Sequence, residues 1–460
     1  MALDPIEELV EFDRENVALA KAVEQRIQEE GMAADHAIRD VRVYRVLMPW
    51  VGTKRWDGSA EGFTFAEFET DKGLVGIAEG ANSDRAELKA KVLGKNPFDA
   101  SIRADMGLAY WDLAGKIADR PLGRYLHDLF SIETPLAERV PMSAYTWYSF
   151  PDINGKNEVT FESYPEYVQG IIREHGFHNI KLSMCDFEPH RYIELVHNIR
   201  QAVGPEVDIR VDPHASWGEA QALRFMRGVE DCHIEWIEEP VGGRFDHIFR
   251  AGHRLRHLSP IPISSHAWLP PIVKQPDHRG RYGDGTLDAA LDVDALRRWQ
   301  PADISAPDAY AGPLALKRYY DAARFMGLGI GMHSAYELGP ATAIRLHIAA
   351  FVFPYEMPYH IVWGRDRAFP PFSAHPLDAH YNQWEGDVIR GGKMAYDQGF
   401  LTVPTGPGLG VELDHERLAH YAHTEEKATT HTRHIETIRA THLDALQWKV
   451  ERGGWRRYKM

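Results

Sequence analysis

Residues 207–240 read VDIRVDPHASWGEAQALRFMRGVEDCHIEWIEEP and contain one complete strand–helix–strand unit. Its ends, 207–212 and 233–238, are runs of strand length rich in Val, Ile and Trp. Its middle, 217–229, carries apolar residues at helical intervals. Each expected strand closes on an acid, Asp212 and Glu238. Strands alternating with helices at this interval are the signature of a parallel sheet.

The same rhythm continues on both sides. Strand-like segments recur at 140–147, 178–184, 261–266, 302–307 and 328–333, with an eighth turn of chain near HIVW, 360–363. Eight such units argue for closure into a barrel, in which every strand opens its C-terminal end onto one mouth. The polar residues at those ends would then meet. They are Lys181 and Ser183 in HNIKLSM, Asp212, Glu238, His266 in PIPISSH, Asp308 in ADISAPD and His333 in GIGMH.

The flanks have a different texture. Residues to about 33 read as a polar helix, 38–52 as a strand, 58–81 as two strands turning at Asp71-Lys72-Gly73, and 85–128 as helices. This is an α+β opening. The stretch 270–292 is an oversized loop rich in Pro, Gly and Asp. After Pro371 the alternation stops, and a charged tail runs to Met460. The expected division is 1–137 as an α+β cap with an N-terminal helical extension, 138–372 as the barrel, and 373–460 as a segment returning to the cap.

Composition narrows the class. With 460 residues, two domains are the natural prior. The formal charge of −15 disfavours nucleic acid and anionic membrane as general partners. A small anionic substrate stays compatible, because a cation in the pocket outweighs screened surface charge. Cys185 and Cys232, the two cysteines, make neither a zinc pattern nor a disulfide framework. The acidic start lacks an apolar core, and no run is long enough to span a bilayer. A cytoplasmic enzyme with no membrane or nucleic-acid partner is the default expectation.

The chemistry follows from the residue types. Asp212, Glu238 and His266 on consecutive strand ends form a candidate divalent-cation site. Any one of them alone reads as a cap or turn residue. Imidazole suits Mn²⁺ or another transition ion better than Mg²⁺, so His266 leaves the metal open. Asp308 beside His333 is a base dyad, since a carboxylate on Nδ1–H fixes the tautomer and raises the basicity of Nε2. Lys181 and Ser183 share a strand face, and an ammonium there can hold a substrate carboxylate or enolate oxygen. His214 shares the face of Asp212 and reads as a substrate contact or a loop histidine. Tyr145, Trp147 and His360 line the site or pack the barrel.

These residues in this order resemble the enolase superfamily. Within it they are similar to the mandelate racemase branch, above all to acid-sugar dehydratases of the glucarate dehydratase type. The matching text is IKLS, RVDPHASW, WIEEP, PISSHAW, DISAPDAYAG and GMHSAYELG, and the likeness spans roughly 38–415. The resemblance implies an α/β fold: a (β/α)7β TIM-like barrel under an α+β capping domain built from both ends of the chain. It implies metal ligands at Asp212, Glu238 and His266, with Mg²⁺ as the family's ion. It implies a base at His333 with Asp308, and Lys181 as the first lysine of a Lys-x-Lys motif.

The implied reaction removes the proton α to a carboxylate and expels a β-hydroxyl, which makes a hydro-lyase of a small hydroxy-carboxylate. Two departures stand out: Ser183 replaces the second lysine, and His266 replaces an acidic or amide ligand. They leave a one-base reaction. The alternatives are a sugar-lactone cycloisomerase and a catalytically impaired barrel with a binding role. The resemblance also implies a homo-oligomer, and a lid near 48–58 whose Lys54 and Arg55 suit a distal carboxylate or polyol.

Overall fold

The computed structural model describes residues 5–51, 60–81, 84–147, 159–183, 189–242, 245–265, 287, 300, 302–334, 336–353 and 374–424. Helix α1, Pro5–Ala33, forms because Leu9, Ala20, Val23 and Ile27 recur at helical spacing and are buried along one face. Asp13 lies on that face, and its two oxygens take Arg318 Nε and Nη2 at 2.7 and 2.6 Å. Phe12 stacks on Phe325 with ring centroids 4.6 Å apart. Arg318 and Phe325 belong to a barrel helix, Pro313–Phe325. Further along, Gln28 reaches the Phe98 carbonyl and Glu30 takes the Tyr125 hydroxyl. The helix therefore ties the cap to the barrel wall.

The cap sheet is antiparallel, with order β1 (Ile38–Pro49), β2 (Ala60–Thr70), β3 (Val75–Glu79). The turn between β2 and β3 falls at Asp71-Lys72-Gly73 as read from sequence, with Gly73 at φ +85°. Helices Arg85–Val92, Leu108–Ile117 and Leu122–Leu129 complete this layer.

Among the described residues the barrel has eight parallel strands: β4 (Arg139–Thr146), β5 (Asn179–Ser183), β6 (Asp208–Asp212), β7 (Ile234–Glu238), β8 (Ile263–Ser265), β9 (Ile304–Ser305), β10 (Gly329–Ile330) and β11 (Leu377–Ala379). Each pairs with its neighbour in that order, and β11 pairs back to β4. Closure comes from His375 N to Ile330 O (2.9 Å) and Asp378 N to Met332 O (3.0 Å). Helices of the expected amphipathic kind lie between strands, for example Pro189–Val203 and Glu219–Gly228. The strands are buried on both faces, as parallel strands under helices must be.

One element is corrected. The eighth strand is Leu377–Ala379, not the text near 360–363, which lies outside the described residues. Three residues with a central Asp carry no apolar run, so HIVW looked the better strand. Past β11 the chain returns to the cap. Strand β12 (Phe400–Thr402) runs antiparallel to the start of β4, and bridges join Trp50 to Trp384 and Val46 to Ala422. Buried Asp112 accepts Ile77 N and Leu409 N, both at 2.9 Å, which pins cap and return segment together. Gly408, at φ +70°, passes so close that a Cβ there would sit 2.2 Å from Asp112 Oδ1.

Candidate active site

The strand ends bring the expected residues to one mouth. Asp212 ends β6 and Glu238 ends β7, and both are fully buried. Lys181, on β5 and 0% exposed, sends Nζ to Glu238 Oε1 and Asp378 Oδ2, each at 2.7 Å, with Asp212 Oδ2 at 3.4 Å. A solvated strand-end lysine is thereby excluded. Burial alone would lower its pKa, but the Asp378, Glu238 and Asp212 charges raise it, so the ammonium persists.

Asp378 is the acid that the sequence reading missed. Its second oxygen takes Arg210 Nη1 at 2.8 Å, and Arg210 Nε bonds Glu235 at 2.6 Å. These bonds join Asp212, Glu238, Asp378 and Glu235 to Lys181 and Arg210. Four carboxylates face two permanent cations, with the His375 imidazole also on Glu235 at 2.6 Å, so the cluster is rich in anionic oxygen and favours a bound cation.

Ligand-capable atoms of Asp212, Glu238 and His333 lie within 4.8 Å of one another, so this group can hold a metal ion. The donor set suits a hard divalent ion: two buried carboxylates with an imidazole beside them. Tyr145 supports the first of them, donating its hydroxyl to Asp212 Oδ2 at 2.6 Å. Burial pushes the Asp212 carboxyl up, but His214, Lys181 and the Tyr145 hydroxyl outweigh it and hold the group below its ordinary range.

The dyad is formed. Asp308 Oδ1 lies 2.7 Å from His333 Nδ1, and the two residues bridge backbones just past β9 and β10. Nδ1–H donates to the carboxylate, which leaves the Nε2 lone pair toward the mouth, 3.8 Å from Glu238 Oε1.

A second imidazole faces it. Strands β6 and β10 are four apart in a ring of eight, so His214 after β6 and His333 after β10 stand across the mouth from each other. His214 Nε2 is 3.0 Å from both Ser183 Oγ and Tyr145 Oη, and its Nδ1 is 3.5 Å from Asp212 Oδ2. The single Tyr145 proton goes to Asp212, so the phenol oxygen accepts and His214 carries its proton on Nε2. Residue 214 holds φ +50°, a backbone setting that aims the ring back at β5.

The remaining expected residues divide. Trp147 is 7% exposed and packs edge-on to Tyr145 at 5.5 Å. His266 directly follows β8, but it lies outside the described residues, as do Lys54 and His360. His380, just past β11 and buried at the mouth, was also missed, because the eighth strand was looked for elsewhere.

A cap over a parallel barrel, with carboxylates and an Asp–His dyad at the strand ends, is an arrangement that can hold a cation beside a proton acceptor. Comparison with known proteins points to the same fold. Residues 164–266 match the family model for the enolase C-terminal domain-like family. The chain is 24% identical over 328 residues to a probable glucarate dehydratase of Streptomyces coelicolor, a match covering 69% of this chain and 65% of that one. It is 25% identical over 331 residues to a D-galactarolactone cycloisomerase of Agrobacterium fabrum, covering 71% and 75%. An enolase structure from Pseudomonas fluorescens with bound magnesium, potassium and tartrate superposes with TM-score 0.66 at 19% identity, covering 89% of this chain and 97% of that one. The protein shares its fold with these enolase structures, and the family-model match lies within its barrel, over residues 164–266.

Proposed function

We propose that the protein is a divalent-metal-dependent dehydratase of a polyhydroxylated carboxylic acid, an aldonate or aldarate, yielding a 2-keto-3-deoxy acid. Asp212 and Glu238, with His266 as the expected third ligand, would hold the ion, for which Mg²⁺ is the proposal and Mn²⁺ the alternative. When bound, the ion supplies positive charge that stabilises the carboxylate oxygens as the α-carbon loses its proton. His333 Nε2 takes that proton, with Asp308 keeping the imidazole in the receptive tautomer. The C–O bond at the β-carbon then breaks, and the departing hydroxyl leaves as water with the Nε2 proton of His214, which enters this step as the imidazolium, Nδ1 facing Asp212, and ends it as the neutral ring. The enol relaxes to the keto acid.

The observation that carries this reading is the placement of two imidazoles on opposite sides of the mouth, His333 in the tautomer that accepts at Nε2 and His214 in one that donates from Nε2. It replaces the one-base scheme with a base and an acid on opposite sides, which suits elimination of groups that leave in opposite directions. Lys181, held by three carboxylates, orients Glu238 and offsets its charge.

The test is a screen of aldonic and aldaric acids for keto-acid formation with Mg²⁺ or Mn²⁺. Keto acid is expected, and His333→Asn should abolish it. The cycloisomerase reading draws on the second relative. It predicts solvent deuterium at Cα and lactone rearrangement with no keto acid. An impaired barrel predicts no turnover of any acid in the screen.

A further inference from the structure

Among the described residues, a second group of metal-type ligands lies away from the mouth. It consists of His197, Asp231 and Cys232, whose donor atoms fall within 4.8 Å of one another. His197 stands on the helix Pro189–Val203, and Asp231 and Cys232 close the short turn Glu230–Cys232 that leads into β7. This is the N-terminal end of the barrel. The five residues of β7, Ile234–Glu238, put ~13 Å of strand between the group and the carboxylates of the mouth. The reaction proposed above uses none of these side chains.

The local bonds set each donor. His197 Nε2 is 3.0 Å from the Gly228 carbonyl oxygen, which can only accept, so the ring carries its proton there. Nδ1 is left as a lone pair, and it faces Cys232 Sγ at 3.4 Å. Asp231 Oδ1 reaches the same sulfur at 3.7 Å. Two acceptors therefore converge on a thiol with one proton to give. Asp231 also lies 3.7 Å from His197 Nε2, and its side chain is 78% exposed, so it is free to turn toward Nδ1. An imidazole whose far N–H is held by a backbone carbonyl has the orientation of a metal-ligating histidine.

The dimensions suit one ion in particular. Tetrahedral zinc, with bonds of ~2.3 Å to sulfur and ~2.0–2.2 Å to nitrogen or oxygen, sets its S···N and S···O edges at ~3.6 Å. The observed 3.4 and 3.7 Å bracket that length. A thiolate, an imidazole and a carboxylate form a donor set that Zn²⁺ accepts and Mg²⁺ does not. The thiolate and the carboxylate together cancel the charge of the ion. Burial and the Asp231 charge push the free Cys232 thiol up to about 11, so it is no nucleophile, and a bound ion would take the place of its proton.

We infer that His197, Cys232 and Asp231 form a transition-metal site of the zinc type, with water at the fourth position, that clips the helix Pro189–Val203 to the start of β7. It is separate from the site at the mouth and selects a softer ion. It stands whether or not the mouth carries out a dehydration.

The test uses the full chain, stripped with a chelator, supplied with excess Mg²⁺ for the mouth and titrated with Co²⁺. A cobalt–thiolate charge-transfer band should grow and saturate at one Co²⁺ per chain, and Zn²⁺ should abolish it. Carboxylates and imidazoles do not give that band, so the mouth is silent. Cys185→Ser should keep the band and Cys232→Ser should lose it. His197→Ala and Asp231→Ala, both changes at solvent-facing side chains, should each weaken Co²⁺ binding at least ~10-fold. Zn²⁺ should raise the unfolding midpoint of the parent more than that of His197→Ala.

If Cys232→Ser fails to fold, the two solvent-facing variants decide. No thiolate band, a band lost in Cys185→Ser, an unchanged affinity in either solvent-facing variant, or equal Zn²⁺ shifts in parent and His197→Ala would overturn the inference.

Discussion

Tyr145→Phe isolates one bond on which the candidate metal site leans. The hydroxyl donates to Asp212 Oδ2 at 2.6 Å, inside the barrel and out of reach of solvent. Removing it takes away a charge-assisted hydrogen bond and leaves that oxygen with Lys181 Nζ at 3.4 Å as its near cation. The carboxylate is then drawn toward the ammonium and away from Glu238. A hydrogen bond to a charged group contributes ~1.5–3 kcal/mol. At 1.36 kcal/mol per factor of ten, that corresponds to about a 10- to 150-fold weaker ion. The loss agrees with the roughly 10–100-fold cost of removing partners that orient metal ligands. The packing change is small, because the ring stays and only an oxygen goes. Calorimetric titration of the metal-free protein with Mn²⁺ measures the effect, and an unfolding midpoint taken alongside checks that the fold is intact. An affinity within threefold of the parent, with the fold intact, would refute the assignment of Tyr145 as the group that orients Asp212.

Other outcomes follow from the same bonds. His333→Asn should cut turnover by ~10²–10⁴, the usual worth of a general base, while Mn²⁺ affinity holds; a parallel loss of affinity would make His333 a ligand instead. Asp13→Asn breaks one partner out of the buried Arg318 pair, which costs ~3–5 kcal/mol when nothing else compensates. Arg318 keeps the Leu287 carbonyl at 3.1 Å, so the lower end is expected from denaturant unfolding, and a loss under ~1 kcal/mol would mean that α1 is not a strap. Glu79, buried under the helix Gly339–Val352, accepts from Leu338 N and Ala341 N, yet burial raises its pKa to about 8. A raised carboxyl favours the folded state fully below its unfolded value, and that contribution fades as pH rises through about 8. Thermal unfolding from pH 5 to 9 should therefore show a shallower decline in Glu79→Gln than in the parent, and identical slopes would exclude the effect.

Much of the barrel was legible because seven of its strands, even the two- and three-residue ones, fall in apolar or β-branched text that ends on polar residues. Asp212, Glu238, Asp308 and His333 could be read for the same reason. Strand β11 could not be read, since its middle residue faces two buried cations instead of a greasy layer. Asp378 and His380 were lost with it. Nor does local text reveal that Arg210 lies inside the barrel. Its position in VDIRVD reads as an outward polar residue, and its partner Asp378 is 168 residues away. Lys181 could be placed at the mouth, but its link to Asp378 crosses 197 residues and is equally hidden from local text. Periodicity reports which face is apolar; it is silent on ion pairs that closure brings together.

Ser183 and His214 belong together as one change, and this can be tested. Ser183 is 4% exposed, and its Oγ already lies 3.0 Å from His214 Nε2. A lysine at 183 would need the volume that the imidazole now fills. It would also put a second ammonium on the face that holds Lys181, two residues away on the same strand. The site therefore has room for one of the two groups, and this chain has the imidazole. Ser183→Lys should not install a second base beside a working acid. It should displace His214 and drop dehydration as far as His214→Asn does, ~10²–10⁴-fold. Ser183→Ala leaves the ring with Tyr145 and should keep turnover within a few-fold. The paired measurement is kcat/KM for all three variants on the best acid found. If Ser183→Lys keeps parental activity, or His214→Asn loses none, the two imidazoles do not share the reaction, and the proton for the leaving hydroxyl comes from His333 alone.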